Sequence, residues 1–182
     1  YQSSLKKLSN KLIKYKINKA ICILCSKSKK YNVEEFLKEI STYKNLTPVI
    51  ELRKKDCNLN FLKYLKKIGV KAIKIHPRNL NCKYSNQKFY KTLLKNVHKF
   101  NFLVLWCTLD SWENYYSIQD DQINLLSDIS NNNKRLKIIL MHGGSSNLLR
   151  YYEKFRFNKN MYIDLSYTID KFKKTSILND IV

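Results

Sequence analysis

The sequence predicts an α/β protein in which parallel strands alternate with helices within one domain, residues 1–182. Three observations support this fold class: six short apolar runs rich in β-branched residues, amphipathic segments between them, and a recurrence of roughly 25 to 35 residues. Connections of this kind are right-handed βαβ crossovers. The pattern by itself leaves two architectures open, an open doubly wound sheet and a (β/α)8 barrel.

Each element follows from a local pattern. The predicted strands are the apolar runs at 21–25, 47–52, 70–75, 102–106, 137–141 and 161–166. The predicted helices have apolar residues at helical spacing and span 4–15, 33–40, 61–68, 89–97, 123–129 and 147–156, with a last helical piece near Lys171. Asn32 is the expected N-cap of the second helix, and Gly69 ends the third. Neither GxGxxG nor GxxxxGK[ST] occurs, so the common nucleotide-binding loops are missing.

The charge of the chain is strongly positive and comes mainly from lysine. Lys and Arg total 35 against 14 Asp and Glu, a net charge of +21, and only five of the 35 are arginine. The lysines are scattered among Asn, Ile and Tyr, which AT-rich codons supply, so genome composition explains the charge at least as well as a partner does. We therefore expect weak, non-specific attraction to nucleic acid. Self-association into a homo-oligomer is also left open.

The apolar runs and the cysteines predict a cytoplasmic protein. No window of about eighteen apolar residues occurs, so we expect no membrane span. The chain starts at Tyr1 without a basic and then apolar leader, which predicts no signal peptide and suggests an excerpt of a longer polypeptide. Five cysteines, an odd number, indicate free thiols in a reducing compartment. Cys22 and Cys25 have CxxC spacing, but a strand is an unfavourable place for a zinc or redox pair.

Polar residues stand at the predicted carboxyl ends of the strands, where both architectures place chemistry. These residues are Cys25 and Ser26, Glu51 and Arg53, Lys74, His76 and Arg78, Cys107 and Asp110, His142, and Asp164 with Ser166. Two of the three histidines are among them. The third, His98, falls on the fourth helix and is interpreted as a surface residue. Two glycines directly follow His142, which indicates a tight turn that presents either a ligand or a hydrogen-bonded core histidine.

Four of these segments resemble a known family. They are GVKAIKIHPR at 69–78, FLVLWCTLD at 102–110, KIILMHGGS at 137–145 and NKNMYIDLS at 158–166. In order and approximate spacing they are similar to the amidohydrolase superfamily, in its amidohydrolase-related branch of metal-dependent hydrolases and decarboxylases. The resemblance implies a partial (β/α)8 TIM-like barrel that contains strands two to seven and is truncated at both ends.

The resemblance also implies an active site. His142 matches a histidine that is a metal ligand or a substrate partner, and Lys74 and His76 match the motif of strand four, so these three are the catalytic candidates. Cys107 stands where the family has a histidine, and with His142 it is the candidate metal ligand. The implied cofactor is a divalent metal, preferentially zinc, and the implied partner is a small-molecule substrate for C–N or C–O hydrolysis or non-oxidative decarboxylation. A non-catalytic barrel and a basic nucleic-acid-binding protein remain the alternatives.

The other candidates each have two interpretations. Asp110 either replaces a ligand or begins a helix, and Glu51 either faces the barrel mouth or pairs with Arg53. Asp164 and Ser166 are interpreted as a loop-anchoring pair in preference to a general base. Lys74 has three interpretations: a base with a lowered pKa, a carbamylated lysine, or a lysine in a salt bridge. Three aromatic residues either form a pocket lid or pack on a helix, and these are Trp112, Tyr115 and Tyr116.

Overall fold

A computed structural model describes residues 4–109 and 117–176 of the chain. Its six strands form one parallel sheet in the order β1-β2-β3-β4-β5-β6. The strands are β1 (Ala20–Leu24), β2 (Leu46–Glu51), β3 (Ala72–Ile75), β4 (Leu103–Cys107), β5 (Ile138–Met141) and β6 (Met161–Ile163). Each of the six predicted strands is therefore present.

Helices connect successive strands, as the sequence predicts. They are α1 (Leu5–Lys14), α2 (Val33–Ile40), α3 (Leu59–Lys67), α4 (Gln87–Lys99), α5 (Ser117–Asn132), α6 (Leu148–Phe155) and α7 (Thr168–Phe172). Short 3-10 turns lie at Lys54–Asp56 and His142–Asn147. The Asn32 side chain caps α2 by accepting a hydrogen bond of 3.2 Å from the Glu35 N–H. Within residues 4–109 and 117–176, every helix is too short or too polar to traverse a bilayer.

Several element boundaries differ from the prediction by a few residues, and two of the differences have a clear local reason. Strand β3 begins at Ala72 and not at residue 70, because the Val70 N–H bonds to Leu65 O (3.0 Å) and completes the end of α3. Strand β6 ends at Ile163, because the Asp164 side chain accepts the Ser166 N–H at 3.0 Å and turns the chain. The last helix begins at Thr168, before the predicted start near Lys171.

The sheet has two differently packed faces. One face packs against the helices and contributes Ile50, Ile73, Trp106 and Leu140 to the main core. The opposite face forms a smaller cluster around the buried residues Val49, Ala72 and Leu105. Side chains alternate between the two faces along a strand. The smaller cluster therefore continues, two positions further along each strand, into Glu51, Lys74 and Cys107.

The strand order decides between the two predicted architectures. A doubly wound sheet reverses its strand order at a switch point, whereas a barrel adds its strands in sequence around the axis. Here every strand pairs with the next one in the chain, and the registers place Glu51 beside Lys74, Lys74 beside Leu105, and Cys107 beside Met141. The chain is an α/β partial TIM-like barrel, and the smaller cluster lies on its inner face.

Candidate active site

Glu51 is the centre of a buried polar network at the carboxyl ends of β1, β2 and β3. Its side chain has 0% exposure. One carboxylate oxygen accepts hydrogen bonds from Ser26 Oγ (2.5 Å) and Asn79 Nδ2 (2.6 Å). The other oxygen lies 3.6 Å from Cys25 Sγ and 3.6 Å from Lys74 Nζ. Four donors from three loops and strands thus surround one carboxylate.

This network keeps Glu51 ionised. Burial by itself raises the pKa of the carboxyl group, but the hydrogen bonds from Asn79 and Ser26 and the charge of Lys74 outweigh burial and lower it. The Tyr31 hydroxyl also donates to the main-chain oxygen of Glu51 at 2.9 Å. Because its lone pairs are already engaged, Glu51 holds the loops together and is poorly suited to act as a free base.

The interpretation that Glu51 pairs with Arg53 is wrong. Residues 51 and 53 are separated by the buried Leu52, and the Arg53 guanidinium turns to Asp56 instead, with Nε 2.6 Å from Oδ2. The guanidinium also lies 4.0 Å from the centre of the Tyr31 ring. The Asp56 carboxylate and the Tyr31 ring are thus the partners of the Arg53 guanidinium. Glu51 pairs instead with Lys74 on the neighbouring strand.

Lys74 makes a salt bridge, which is what one of the three interpretations of this residue predicts. Its side chain is only 12% exposed, and its ammonium faces Glu51 Oε2 across 3.6 Å. Among the described residues, Lys74 Nζ makes no hydrogen bond within ordinary distance, although an ammonium has three donors. The cation therefore has a fixed counter-ion but spare hydrogen-bonding capacity at the barrel mouth.

His76 follows β3 in the same region. Burial, with additional effects from the cations of Lys74 and Arg78, lowers the pKa of its imidazole to about 4 although Glu51 opposes the change. The Nδ1 atom is buried and has no hydrogen-bond partner among the described residues. The ring is therefore neutral at physiological pH.

Cys107 lies at the inner-face end of β4, and its Cα is paired with that of Met141. The residue is 3% exposed. Burial raises the pKa of its thiol, while the positive charges of Lys74 and Arg78 act in the opposite direction. This inner-face position is compatible both with the predicted metal ligand and with part of an apolar wall.

His142 follows β5 directly and has a left-handed backbone with φ of 65°. Its N–H donates to Asp164 Oδ2 (3.3 Å), and its carbonyl accepts from Thr168 Oγ1 (2.6 Å). Burial lowers the pKa of the imidazole, Lys74 adds to this effect and Asp164 opposes it. Nδ1 is buried without a hydrogen-bond partner in the described part of the chain. The backbone of His142 is thus fixed while one ring nitrogen has no protein partner there.

The turn after β5 orients His142 through an unusual run of backbone conformations. Gly143, Gly144 and Ser145 have φ values of 53°, 76° and 53°, so His142 is the first of four successive left-handed residues. The Gly144 N–H donates to Thr108 Oγ1 at 2.7 Å, and that hydroxyl donates to the Met141 carbonyl at 2.5 Å. The loop after β4 thereby holds the turn after β5.

Asp164 and Ser166 form a loop anchor. Asp164 Oδ1 accepts the Ser166 N–H at 3.0 Å, and Oδ2 accepts the Ser166 hydroxyl at 2.5 Å. Burial raises the pKa of this carboxyl group, but the hydrogen bonds from Ser166 and His142 outweigh burial and lower it. An ionised carboxylate saturated by local donors matches the predicted anchoring role in preference to a general base.

Other candidates lie away from this site or outside the described residues. Cys22 packs beside α1, whereas Cys25 contacts Glu51, because residues three apart on a strand face opposite sides. The CxxC spacing therefore does not bring these two thiols together. Four predicted residues lie outside the described ranges: Asp110, Trp112, Tyr115 and Tyr116.

Sequence reasoning missed Asn79 and Thr108, which support the site. Asn79 reaches Glu51 from the loop after His76, and Thr108 fixes the turn after β5. The only available signal was position, since both are small polar residues within three positions of a predicted site residue. Nothing in their type distinguished them from ordinary loop residues.

The described residues offer an incomplete donor set for a metal. His142 Nδ1 lacks a partner and is suited to coordination, and Cys107 is close along the same edge of the sheet. A catalytic zinc site takes three protein ligands. Within the described ranges, no group of three His, Cys, Asp or Glu side chains is placed to hold an ion. The predicted pair His142 and Cys107 is therefore insufficient without donors from elsewhere.

The parallel strands follow one another in the sheet in chain order, and polar residues lie at their carboxyl ends. This chain therefore has a TIM-barrel-like α/β fold. Solved structures agree with that class. An uncharacterized TIM-barrel protein of Bordetella bronchiseptica has 14% identity and a TM-score of 0.70, over 97% of this chain and 67% of its own. A probable 2-pyrone-4,6-dicarboxylic acid hydrolase of Acinetobacter baumannii, with citric acid bound, has 16% identity and a TM-score of 0.62, over 97% and 70%.

Dihydroorotase of Campylobacter jejuni has 18% identity and a TM-score of 0.52, and the alignment covers 73% of this chain and 40% of the enzyme. At these identities the similarities establish the fold. No protein-family model and no curated protein sequence matches the chain.

Proposed function

We propose that this protein is a metal-dependent hydrolase of the amidohydrolase-related type that binds a small-molecule substrate at the carboxyl ends of β3, β4 and β5. The observation that carries the proposal is the half-buried imidazole of His142, whose buried Nδ1 has no partner among the described residues. The ordered motifs support it, and two of the structural neighbours are a dihydroorotase and a probable 2-pyrone-4,6-dicarboxylic acid hydrolase. The five free thiols support a cytoplasmic location.

The residues have distinct roles in this proposal. His142 contacts the metal or the substrate through its unpartnered nitrogen, and Lys74 supplies positive charge next to the reacting group. His76 is neutral and offers a hydrogen bond to the substrate. A bound divalent metal would polarise a carbonyl and lower the pKa of water, for hydrolysis or for decarboxylation of a related substrate. Its remaining ligands come from outside the described residues.

A non-catalytic barrel is the second candidate, and Cys107 is the observation that favours it. The residue is 3% exposed and stands where the family that the sequence resembles has a histidine, so its thiol suits an apolar wall. In this alternative Cys107 is part of the apolar wall and no metal binds at His142.

Metal content separates the two candidates. Purified protein is incubated with zinc, passed through a desalting column and analysed for bound zinc, and His142→Ala and Cys107→Ser are treated in the same way. The proposal predicts that His142→Ala loses the bound zinc. His98→Ala is the control, because His98 lies on α4 away from the strand ends. Equal zinc in the wild type and His142→Ala contradicts the proposed site, and unchanged zinc in Cys107→Ser alone assigns Cys107 to the wall.

A further inference from the structure

The Lys74 ammonium is a cation held in place with unused donors. It is 12% exposed, and the only ion-pair partner among the described residues is Glu51, whose nearer oxygen is 3.6 Å away. That separation exceeds the length of a good charge-assisted hydrogen bond, about 2.8 Å. The side chain is largely withdrawn from bulk water but its ammonium keeps some contact with solvent, so its remaining donors are accessible to a ligand that enters the mouth. The arrangement is understandable if a ligand oxygen completes the shell of Lys74.

Glu51 cannot supply that shell by moving closer without breaking other bonds. Ser26 and Asn79 hold its first carboxylate oxygen at 2.5 Å and 2.6 Å. Tyr31 holds its main-chain oxygen at 2.9 Å. The carboxylate and the main chain of Glu51 are thus fixed by their neighbours, and the carboxylate orients the Lys74 ammonium while leaving donors free on it.

The surroundings favour an anionic ligand over a neutral one. The charged groups that act on His76 are Glu51, Lys74 and Arg78, and the same three act on Cys107. Two of these are cations and one is an anion, so the described charged groups around His76 and Cys107 are positive in sum, whereas Lys74 and Asp164 offset each other around His142. Arg78 is exposed and offers a planar guanidinium that matches a carboxylate.

We propose that the ammonium of Lys74, positioned by Glu51, binds a carboxylate of the ligand. This inference deepens the proposed function and rests on it for the location of the ligand. It makes Lys74 a substrate-binding cation and not a carbamylated metal ligand. Glu51 acts through Lys74 and is a positioning residue.

The test measures binding of malonate, a small dicarboxylate, by isothermal titration calorimetry at constant ionic strength. We expect saturable binding to the wild type and a loss of about tenfold or more in affinity for Lys74→Met, since an interaction with a charged group is removed. Lys91→Met is the matched control. Lys91 is also ion-paired, with Asp128 Oδ2 at 2.5 Å, but its side chain is 46% exposed. The Lys91→Met variant removes one positive charge, as Lys74→Met does. The non-specific attraction of malonate to the basic chain therefore changes equally in both variants.

A second variant guards against misfolding. Lys74→Met alone leaves the buried Glu51 carboxylate without its cation, whereas the double variant Glu51→Gln with Lys74→Met removes both charges. We expect the double variant to fold, as judged by circular dichroism, and to bind malonate as weakly as Lys74→Met. Wild-type affinity in either variant, an equal loss in Lys91→Met, no saturable malonate binding, or tighter binding of phosphate than of malonate would each overturn the inference.

Zinc content keeps this inference distinguishable from the proposed function. If Lys74 binds a carboxylate, Lys74→Met retains the zinc of the wild type while malonate binding falls. Loss of zinc in Lys74→Met, together with a wild-type lysine that carries the extra mass of one CO2, would show a carbamylated metal ligand and refute the binding role. The hydrolase proposal fails by a different result, namely that the His142→Ala variant binds as much zinc as the wild type.

Discussion

His76 has an imidazole that is partly withdrawn from water and lies near two cations, Lys74 and Arg78. Burial is the main cause that lowers its pKa from 6.5 to about 4. Between these two values the unfolded chain binds a proton that the folded chain excludes. The contribution of His76 to the free energy of unfolding is therefore fully present above pH 6.5. It is lost progressively as the pH falls towards about 4.

We expect His76→Gln to reduce this pH dependence. Between about pH 7 and about pH 5, the wild type should lose about 1 kcal/mol more unfolding free energy than the variant, a value discounted for partial exposure. Urea denaturation at both pH values measures the difference. His98→Gln on α4 is the control and should retain the wild-type slope. Equal slopes in the wild type and His76→Gln would show that His76 is protonated as readily as in the unfolded chain.

At the scale of elements, the turn between β5 and α6 depends on close packing. A Cβ at Gly144 would lie 2.3 Å from Cδ2 of Tyr151, and φ at Gly144 is +76°. Tyr151 has 0% exposure and donates its hydroxyl to Gln122 Oε1 at 2.5 Å. The ring therefore has no room to withdraw.

Gly144→Ala should destabilise the fold by about 2 to 4 kcal/mol, because overpacking adds to the left-handed backbone penalty. Gly69→Ala separates the two effects, since Gly69 has φ of +86° but a Cβ at this position would have no neighbouring atom within 4 Å. It should cost only about 1 kcal/mol. Unfolding free energies from urea titrations measure both. Similar losses in the two variants would mean that the turn relaxes around Tyr151.

At the scale of the whole molecule, the net charge of +21 is the dominant property. Scattered lysines neutralise phosphates without reading bases, so the free energy of binding comes from counterion release. We expect weak binding of labelled duplex and single-stranded DNA, with affinity falling about tenfold or more between about 50 mM and 200 mM salt. Fluorescence anisotropy measures both affinities. Duplexes of AT-rich and GC-rich sequence should bind equally, and tight sequence-dependent binding at physiological salt would contradict this expectation.

The sequence by itself determined the alternation of strands and helices and the residues at the strand ends. Those features depend on periodicities of two and 3.6 residues and on local caps such as Asn32, and neighbouring residues in the chain encode them. For the same reason, Lys74, Cys107 and His142 could be assigned to one edge of the sheet from the sequence alone. The sequence also offered both the loop-anchoring interpretation of Asp164 and the salt-bridged interpretation of Lys74.

Only the tertiary structure decided which partners these residues have. Glu51 pairs with Lys74 on the next strand and not with Arg53 two positions away, because parallel pairing brings residues 51 and 74 side by side. The contribution of Asn79 and the inward position of Cys107 likewise depend on loop conformation and register. The strand order excluded a doubly wound sheet, since order in space is a long-range property that hydrophobic periodicity does not encode.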